Sequence, residues 1–214
     1  MLDRRRALSS IQVEEQLPSI KDIPVGSDVR FLENGAAWIY CGVQFGNAQI
    51  LRDLVYSSSN KKTALDYRGS NPDNYLLNTI LPSFSAAQQA IMRDSTFDIQ
   101  ISDGSATSKV SMTRKIYCPD WTQIKNGGTF FTAFYAYKHT SSANTARQAM
   151  DSGGTYRAYW SCWAYNATTV GAIAASGSTG GSATSSTLTY IRPVVSLDKD
   201  TKVRLVNGVY ILQY

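Results

Sequence analysis

Tyr190-Ile191-Arg192-Pro193-Val194-Val195-Ser196-Leu197 is the stretch from which the fold is read. Its β-branched residues predict one strand across 190–197. The 34 positions before Arg192, numbers 158–191, carry no Asp, Glu, Lys or Arg. Of the 27 residues from Ala164 to Tyr190, 21 are Ala, Gly, Ser or Thr, so the gap offers no continuous apolar span for a bilayer. It lacks the charge and proline of ordinary disorder as well. An uncharged, small-residue tract that presents itself to solvent is the expectation.

The tract opens on an aromatic cluster. Tyr156-Arg157-Ala158-Tyr159-Trp160-Ser161-Cys162-Trp163-Ala164-Tyr165-Asn166 holds three tyrosines and two tryptophans in eleven residues. Tyr and Trp give large rigid contact area at low entropic cost, and Ser, Gly and Asn give adaptable hydrogen bonds, the chemistry of antibody loops. Trp160 and Trp163 differ by three, so on a regular strand they face opposite sides and one points out.

Working outward, residues 1–22 are polar and arginine-led and read as an arm or linker. Ala37–Phe45 alternates with period 2 and pairs with Ala48–Tyr56 across a Gly46-Asn47 turn. Asn71-Pro72 starts a helix that runs to Pro82, and Ser85 with Gln88 forms a capping box for a second. Phe97, Ile99 and Ile101 alternate up to Asp103-Gly104, with Val110 and Met112 continuing beyond. Thr129–Tyr137 reads as a strand. Val203–Val206, Asn207-Gly208 and Val209–Leu212 give the strongest short-range hairpin signal in the chain. This order predicts an α+β protein with a small antiparallel sheet, two short helices, long loops and a C-terminal β-hairpin. The expected units are an arm at 1–22, a main domain at 23–198 and a separate hairpin at 199–214.

Chemistry-bearing constellations are sparse. The net charge of +5 is spread thinly, with Arg4-Arg5-Arg6 its one cluster, which argues against nucleic acid. Cys41, Cys118 and Cys162 show neither a disulfide frame nor zinc spacing. The arginine-led start lacks an apolar core, so synthesis in a reducing cytoplasm without a secretion signal is expected. His139 has no nucleophile or orienting acid named beside it. No phosphate-cradling glycine loop stands between a strand and a helix. Asn71-Pro72-Asp73 resembles a calcium-lectin loop but lacks a completing acidic motif. Asp198 and Asp200, with Asp120, could be imagined as a metal pair, but the Asp198–Asp200 segment after a strand reads as a solvated turn. No catalytic residue, metal or cofactor is expected.

Tyr159-Trp160-Ser161, the small-residue stretch with Gly171 and Gly177, and Tyr190–Leu197 together resemble the C-terminal half of C-type-lectin-fold domains of gut bacteria and their phages. These are distant kin of formylglycine-generating enzymes and of retroelement-diversified phage tropism determinants. Val25-Gly26-Ser27, Trp38, Tyr75-Leu76-Leu77-Asn78 and Phe84-Ser85 extend the likeness, which covers roughly Ile23 to Leu197. The resemblance implies a C-type-lectin-like fold with Arg192 and Pro193 structural and Trp160 in the core. The enzymatic branch needs cysteines in a set arrangement that Cys41, Cys118 and Cys162 do not show, so no activity is carried over.

These readings lead to a phage virion surface protein, on tail or capsid, that recognises a host cell-surface protein or glycan. It would be made in the host cytoplasm and located in the virion. It would attach to other virion proteins through the arm and form a homotrimer, without nucleic acid or membrane insertion. The alternatives are a virion decoration protein using the same fold for assembly, and a formylglycine-generating-type enzyme. The candidate ligand-binding residues are Trp163, Tyr165, Asn166, Thr168, Thr169, Ser176, Ser178, Thr179, Ser182, Thr184, Ser186 and Thr187.

Overall fold

The computed structural model describes residues 16–57, 64–124, 147–183 and 190–214. In chain order they form β1 (Asp28–Arg30), β2 (Trp38–Gln44), β3 (Asn47–Arg52) and β4 (Tyr56–Ser57). The helical segments α1 (Asn71–Tyr75), a π-helical turn (Leu76–Ile80), α2 (Leu81–Ser83) and α3 (Ala86–Ala90) follow. Next come β5 (Ser95–Ser102), β6 (Thr107–Arg114), β7 (Ile116–Tyr117), α4 (Trp121–Ile124), β8 (Tyr159–Ala164), β9 (Thr169–Ile173) and β10 (Thr179–Ala183). The chain closes with β11 (Tyr190–Ile191), β12 (Val194–Leu197), β13 (Val203–Val206) and β14 (Val209–Leu212).

The expected α+β, C-type-lectin-like fold with a small sheet and two short helices is overturned. Among the described residues there are three sheets: seven strands in the order β13-β14-β1-β2-β3-β12-β7, five in the order β10-β9-β8-β11-β4, and the ribbon β5-β6. The protein is mostly β. Both helices lie where expected, with Pro72 in the first turn of α1 and a complete Ser85–Gln88 capping box on α3. They are short local pieces beside the sheets. Strand content was underestimated because several strands are only two to five residues long, too short to show a period.

The decisive stretch is two strands. β11 pairs in parallel with β8 in the five-stranded sheet, while β12 pairs antiparallel with β3 in the seven-stranded one. Arg192-Pro193 is the crossing point between sheets. Proline lacks the N–H that a continuous ladder needs, so pairing breaks there. The guanidinium of Arg192 is fully buried and donates through Nε to the Arg52 carbonyl at 2.8 Å. Arg52 N–H in turn donates to the Pro193 carbonyl at 3.0 Å. The two sheets are thus tied at one corner.

Three further expectations are corrected. The first hairpin turns on Phe45-Gly46, with Gln44 paired to Asn47, not on Gly46-Asn47. Phe45 takes a left-handed φ of 54°, and its ring stacks on Phe97 at 5.1 Å, a contact that offsets the strain. The final hairpin turns on Asn207-Gly208 as predicted, but it is no appendage, since β14 pairs with β1. Part of the supposed arm is docked. Ile20 is fully buried, Ile20 N–H donates to Thr201, and Val203 N–H donates to Pro18. Ile211 and Leu212, which an open hairpin edge would leave sticky, are buried. The strand expected at Thr129–Tyr137 and His139 lie outside the described residues.

One core runs between the sheets, built on Trp160, Tyr40, Tyr67, Tyr117, Ile39 and Ile50. It contains a polar knot at Gln49, which is fully buried. Its Oε1 accepts from Tyr117 Oη and Ser196 Oγ, and its Nε2 donates to the Gln44 and Asn47 carbonyls. Gln123 joins through its donation to Tyr117 Oη at 3.1 Å, which attaches α4 to the seven-stranded sheet. A fully satisfied buried network fixes register where an apolar core would tolerate sliding.

Candidate functional site

Within the uncharged tract, β8, β9 and β10 form an antiparallel meander. Its small residues have a packing reason. A Cβ on Gly171 would stand 2.9 Å from the Trp163 carbonyl oxygen and would also meet the Ser161 hydroxyl. A Cβ on Gly181 would stand 2.6 Å from Tyr165 Cδ1 and would also meet the Thr169 hydroxyl. The pairing of β8 with β9 shifts register between Trp160 and Ala164, and this irregularity brings the strands into close approach at Gly171. Trp160 is buried and Trp163 half-buried.

The tyrosine that closes over Gly181 is the main exposed aromatic of the meander. Tyr165 is 45% exposed, and its ring meets Trp121 edge-on with centroids 5.6 Å apart. Trp121 opens α4, which begins with a capping box. Asp120 Oδ1 accepts from the N–H groups of Thr122 and Gln123, and Asp120 N–H donates to Gln123 Oε1. The sequence reading missed Trp121. The Asp-x-x-Gln spacing at 120–123 is the signal that could have placed it at a helix start.

The turn joining β8 to β9 is held by Asn166. Its Oδ1 accepts from Thr168 N–H, Thr169 N–H and Thr169 Oγ1, each at 2.9 Å. That oxygen therefore builds the turn. From the β5 side, Gln100 Nε2 donates to the Ala164 carbonyl at 2.8 Å and Ser102 Oγ to that of Ala167 at 2.7 Å. The turn is braced on both flanks, so a contact surface here is preorganised.

The twelve candidate residues do not form one patch. Tyr165, Asn166, Thr168 and Thr169 gather at one end of β9. Ser182 returns to that end through its pairing with Val170. Ser176, Ser178 and Thr179 stand at the other end, roughly 14 Å away along the strand. There Ser176 and Ser178 share a hydroxyl–hydroxyl bond, and the Gly177 carbonyl accepts from Nε of buried Arg147 at 2.8 Å. Trp163 is half-buried within β8. Thr184, Ser186 and Thr187 lie outside the described residues.

Among the described residues, no group of three His, Cys, Asp or Glu side chains could hold a metal ion. Asp73 of the calcium-like motif is fully buried and bonded at both oxygens by Arg114, at 3.0 and 2.8 Å. Asp198 and Asp200 pair with Arg93 and Lys21. All three cysteines are buried and unbridged, and burial pushes the Cys41 thiol up to about 12. A thiol that holds its proton so firmly is a poor nucleophile. No helix among the described residues is long and apolar enough to cross a membrane.

Residues 46–199 match the model of a domain of unknown function, DUF6273. No curated protein and no solved structure matches the chain.

Proposed function

The chain belongs to the DUF6273 family, and from that premise we propose that it is a non-catalytic binding module whose contact surface is the β8–β9 end of the meander. The observation that carries this reading is Tyr165, an exposed ring seated on Gly181 and flanked by Trp121. The adjoining turn carries the Thr168 and Thr169 hydroxyls, and residues 158–191 carry no charge. A rigid aromatic anchor among small polar groups suits recognition of a neutral, hydroxyl- or amide-bearing surface. Ser176 and Ser178, at the far end, take no part in this contact.

The finer reading is that the module is displayed on a phage virion and recognises a host cell surface. It is supported by the paratope-like composition between Tyr159-Trp160-Ser161 and Arg192-Pro193-Val194. The test is retention of the labelled chain on bacterial cells and envelope fractions, with Tyr165→Ala beside the wild type. The reading expects retention by the wild type and a loss of roughly tenfold or more for the variant. Equal retention of both proteins would move the contact elsewhere. Absence of the chain from purified particles that encode it would remove the virion assignment while leaving the binding surface standing.

A further inference from the structure

The ribbon β5–β6 has an open edge. Its eight cross-strand pairs run from Ser95–Arg114 to Ser102–Thr107 without a register shift, unlike those of β2–β3 and β8–β9. β5 lies against β8, while Thr107, Ser108, Lys109, Ser111 and Thr113 of β6 are exposed. The ribbon's turn is closed by Asp103 N–H, which donates to the Ala106 carbonyl at 3.4 Å. Bonded and non-bonded pairs alternate along an antiparallel ladder, so the backbone N–H and C=O groups of Thr107, Lys109, Ser111 and Thr113 point away from β5. Among the described residues, the one bond made to these outward groups is from Arg114 Nη1 to the Thr113 carbonyl, at 2.8 Å. Proteins blunt such edges with short strands, proline, bulges or a covering segment. β13, at the edge of the seven-stranded sheet, is covered by the bond from Val203 N–H to Pro18. β6 has eight residues and none of these devices. Its charged side chains are Lys109 and Arg114, and Arg114 is committed to Asp73.

We propose that β6 pairs antiparallel with β6 of a second copy of this chain, about a two-fold axis at Val110, to give a continuous four-stranded sheet. The strand's own sequence selects this occupant, because each row across the joined sheet is complementary. Val110 meets Val110 of the second copy, which makes an apolar row of Ile99, Val110, Val110 and Ile99 and covers two half-buried valines. Lys109 falls opposite Ser111 of the second copy, and the next residue in that row is the second copy's Asp98. Ammonium and carboxylate thus stand one strand apart, with Ser111 between them. Thr113 falls opposite Thr107, which extends the hydroxyl pair that Thr96 and Thr113 already make at 2.8 Å.

Charge also fixes the register. Moving the axis to Lys109 would set the two Lys109 ammonium groups directly opposite each other, which is destabilising. With the axis at Val110, Thr107, Lys109, Ser111 and Thr113 all find a partner residue whose backbone groups point outward too. The outermost pair requires Arg114 to release the Thr113 carbonyl, and its bonds to Asp73 remain. The contact uses neither Tyr165 nor Trp121, so it stands apart from the binding surface proposed above.

The experiment measures the mass of the full chain by light scattering from micromolar to near-millimolar concentration, with amide hydrogen exchange at both ends of that range. One strand pair is a small interface, so a dimer that forms with rising concentration is expected. The amides of Thr107, Lys109, Ser111 and Thr113 should exchange roughly tenfold more slowly at the upper end, while those of Ser108, Val110 and Met112 are protected throughout. Ser111→Lys sets an ammonium against Lys109 of the second copy at two symmetric places and should weaken dimerisation by roughly tenfold. Ser111→Glu sets a carboxylate there and should tighten it by a similar factor. Ser111 is exposed, and an unchanged circular dichroism spectrum shows that each variant has folded. A monomer throughout the range, a trimer, protection gathered on other amides, or equal effects of the two Ser111 variants would overturn the proposal.

Discussion

The ring of Tyr165 rests on Gly181, filling the space where any other residue would carry its Cβ. The aromatic thereby covers an open glycine, a device that stabilises edge glycines in sheets. Gly181→Ala should push the Tyr165 ring from Trp121, which is read as a change in tryptophan fluorescence with little loss of stability, because a side chain can swing aside. Gly171→Ala should cost more, about 1–3 kcal/mol. One of its obstacles is the Trp163 backbone oxygen, which cannot move without β8. Thermal unfolding of the two variants checks the order, and equal midpoints would contradict it.

Local signals were legible in the sequence wherever one short segment decides the outcome. Asn207-Gly208, the Ser85–Gln88 capping box and the alternation of Phe97, Ile99 and Ile101 all predicted their elements. What the sequence hid is pairing between distant segments. Nothing near Val29 announces that its strand lies beside Tyr210. The run from Tyr190 to Leu197 reads as one strand because its β propensity is continuous, yet Pro193 divides it between two sheets. The small-residue tract reads as a solvent-facing surface for a related reason. Gly171 and Gly181 are small because strands approach closely there, a constraint visible only once Trp163 and Tyr165 are in place. Most of the candidate site was legible, since Tyr165, Asn166, Thr168 and Thr169 stood out by composition. Trp121 joins them only through the fold.

Arg192→Leu should destabilise by about 1–3 kcal/mol, because it leaves the Arg52 carbonyl buried without its donor. Arg192→Lys should recover little, since a single ammonium cannot reproduce the planar fork that reaches towards both Arg52 and Asp53. Denaturant unfolding of the two variants is the measurement. Wild-type stability of the lysine variant would show that charge alone matters at the sheet crossing.

Asp73→Ala should cost about 3 kcal/mol. The carboxylate is fully buried, and its loss strands the partly buried Arg114 guanidinium and the Gly69 N–H that it also accepts. Replacing both partners together, as Asp73→Leu with Arg114→Met, should cost less than the sum of the single changes. A double-mutant cycle measures the difference, and strict additivity would mean that the pair contributes no coupling.

Asp120 gives a pH dependence of definite sign. Burial raises its pKa, against the opposing bonds from Thr122 and Gln123. The folded chain therefore holds this proton more tightly than the unfolded chain does. The resulting stability is fully present below the ordinary carboxylate value, near 4, and is lost as pH rises through the raised folded value. Asp120→Asn is neutral at every pH, and its amide oxygen can still accept from the Thr122 and Gln123 N–H groups. The variant should be more stable than the wild type at pH 7, with the advantage shrinking as pH falls towards 3. Melting midpoints of both proteins across that range test it. A variant less stable than the wild type at pH 7 would mean that the helix cap needs the full negative charge, and that its bonds outweigh the burial.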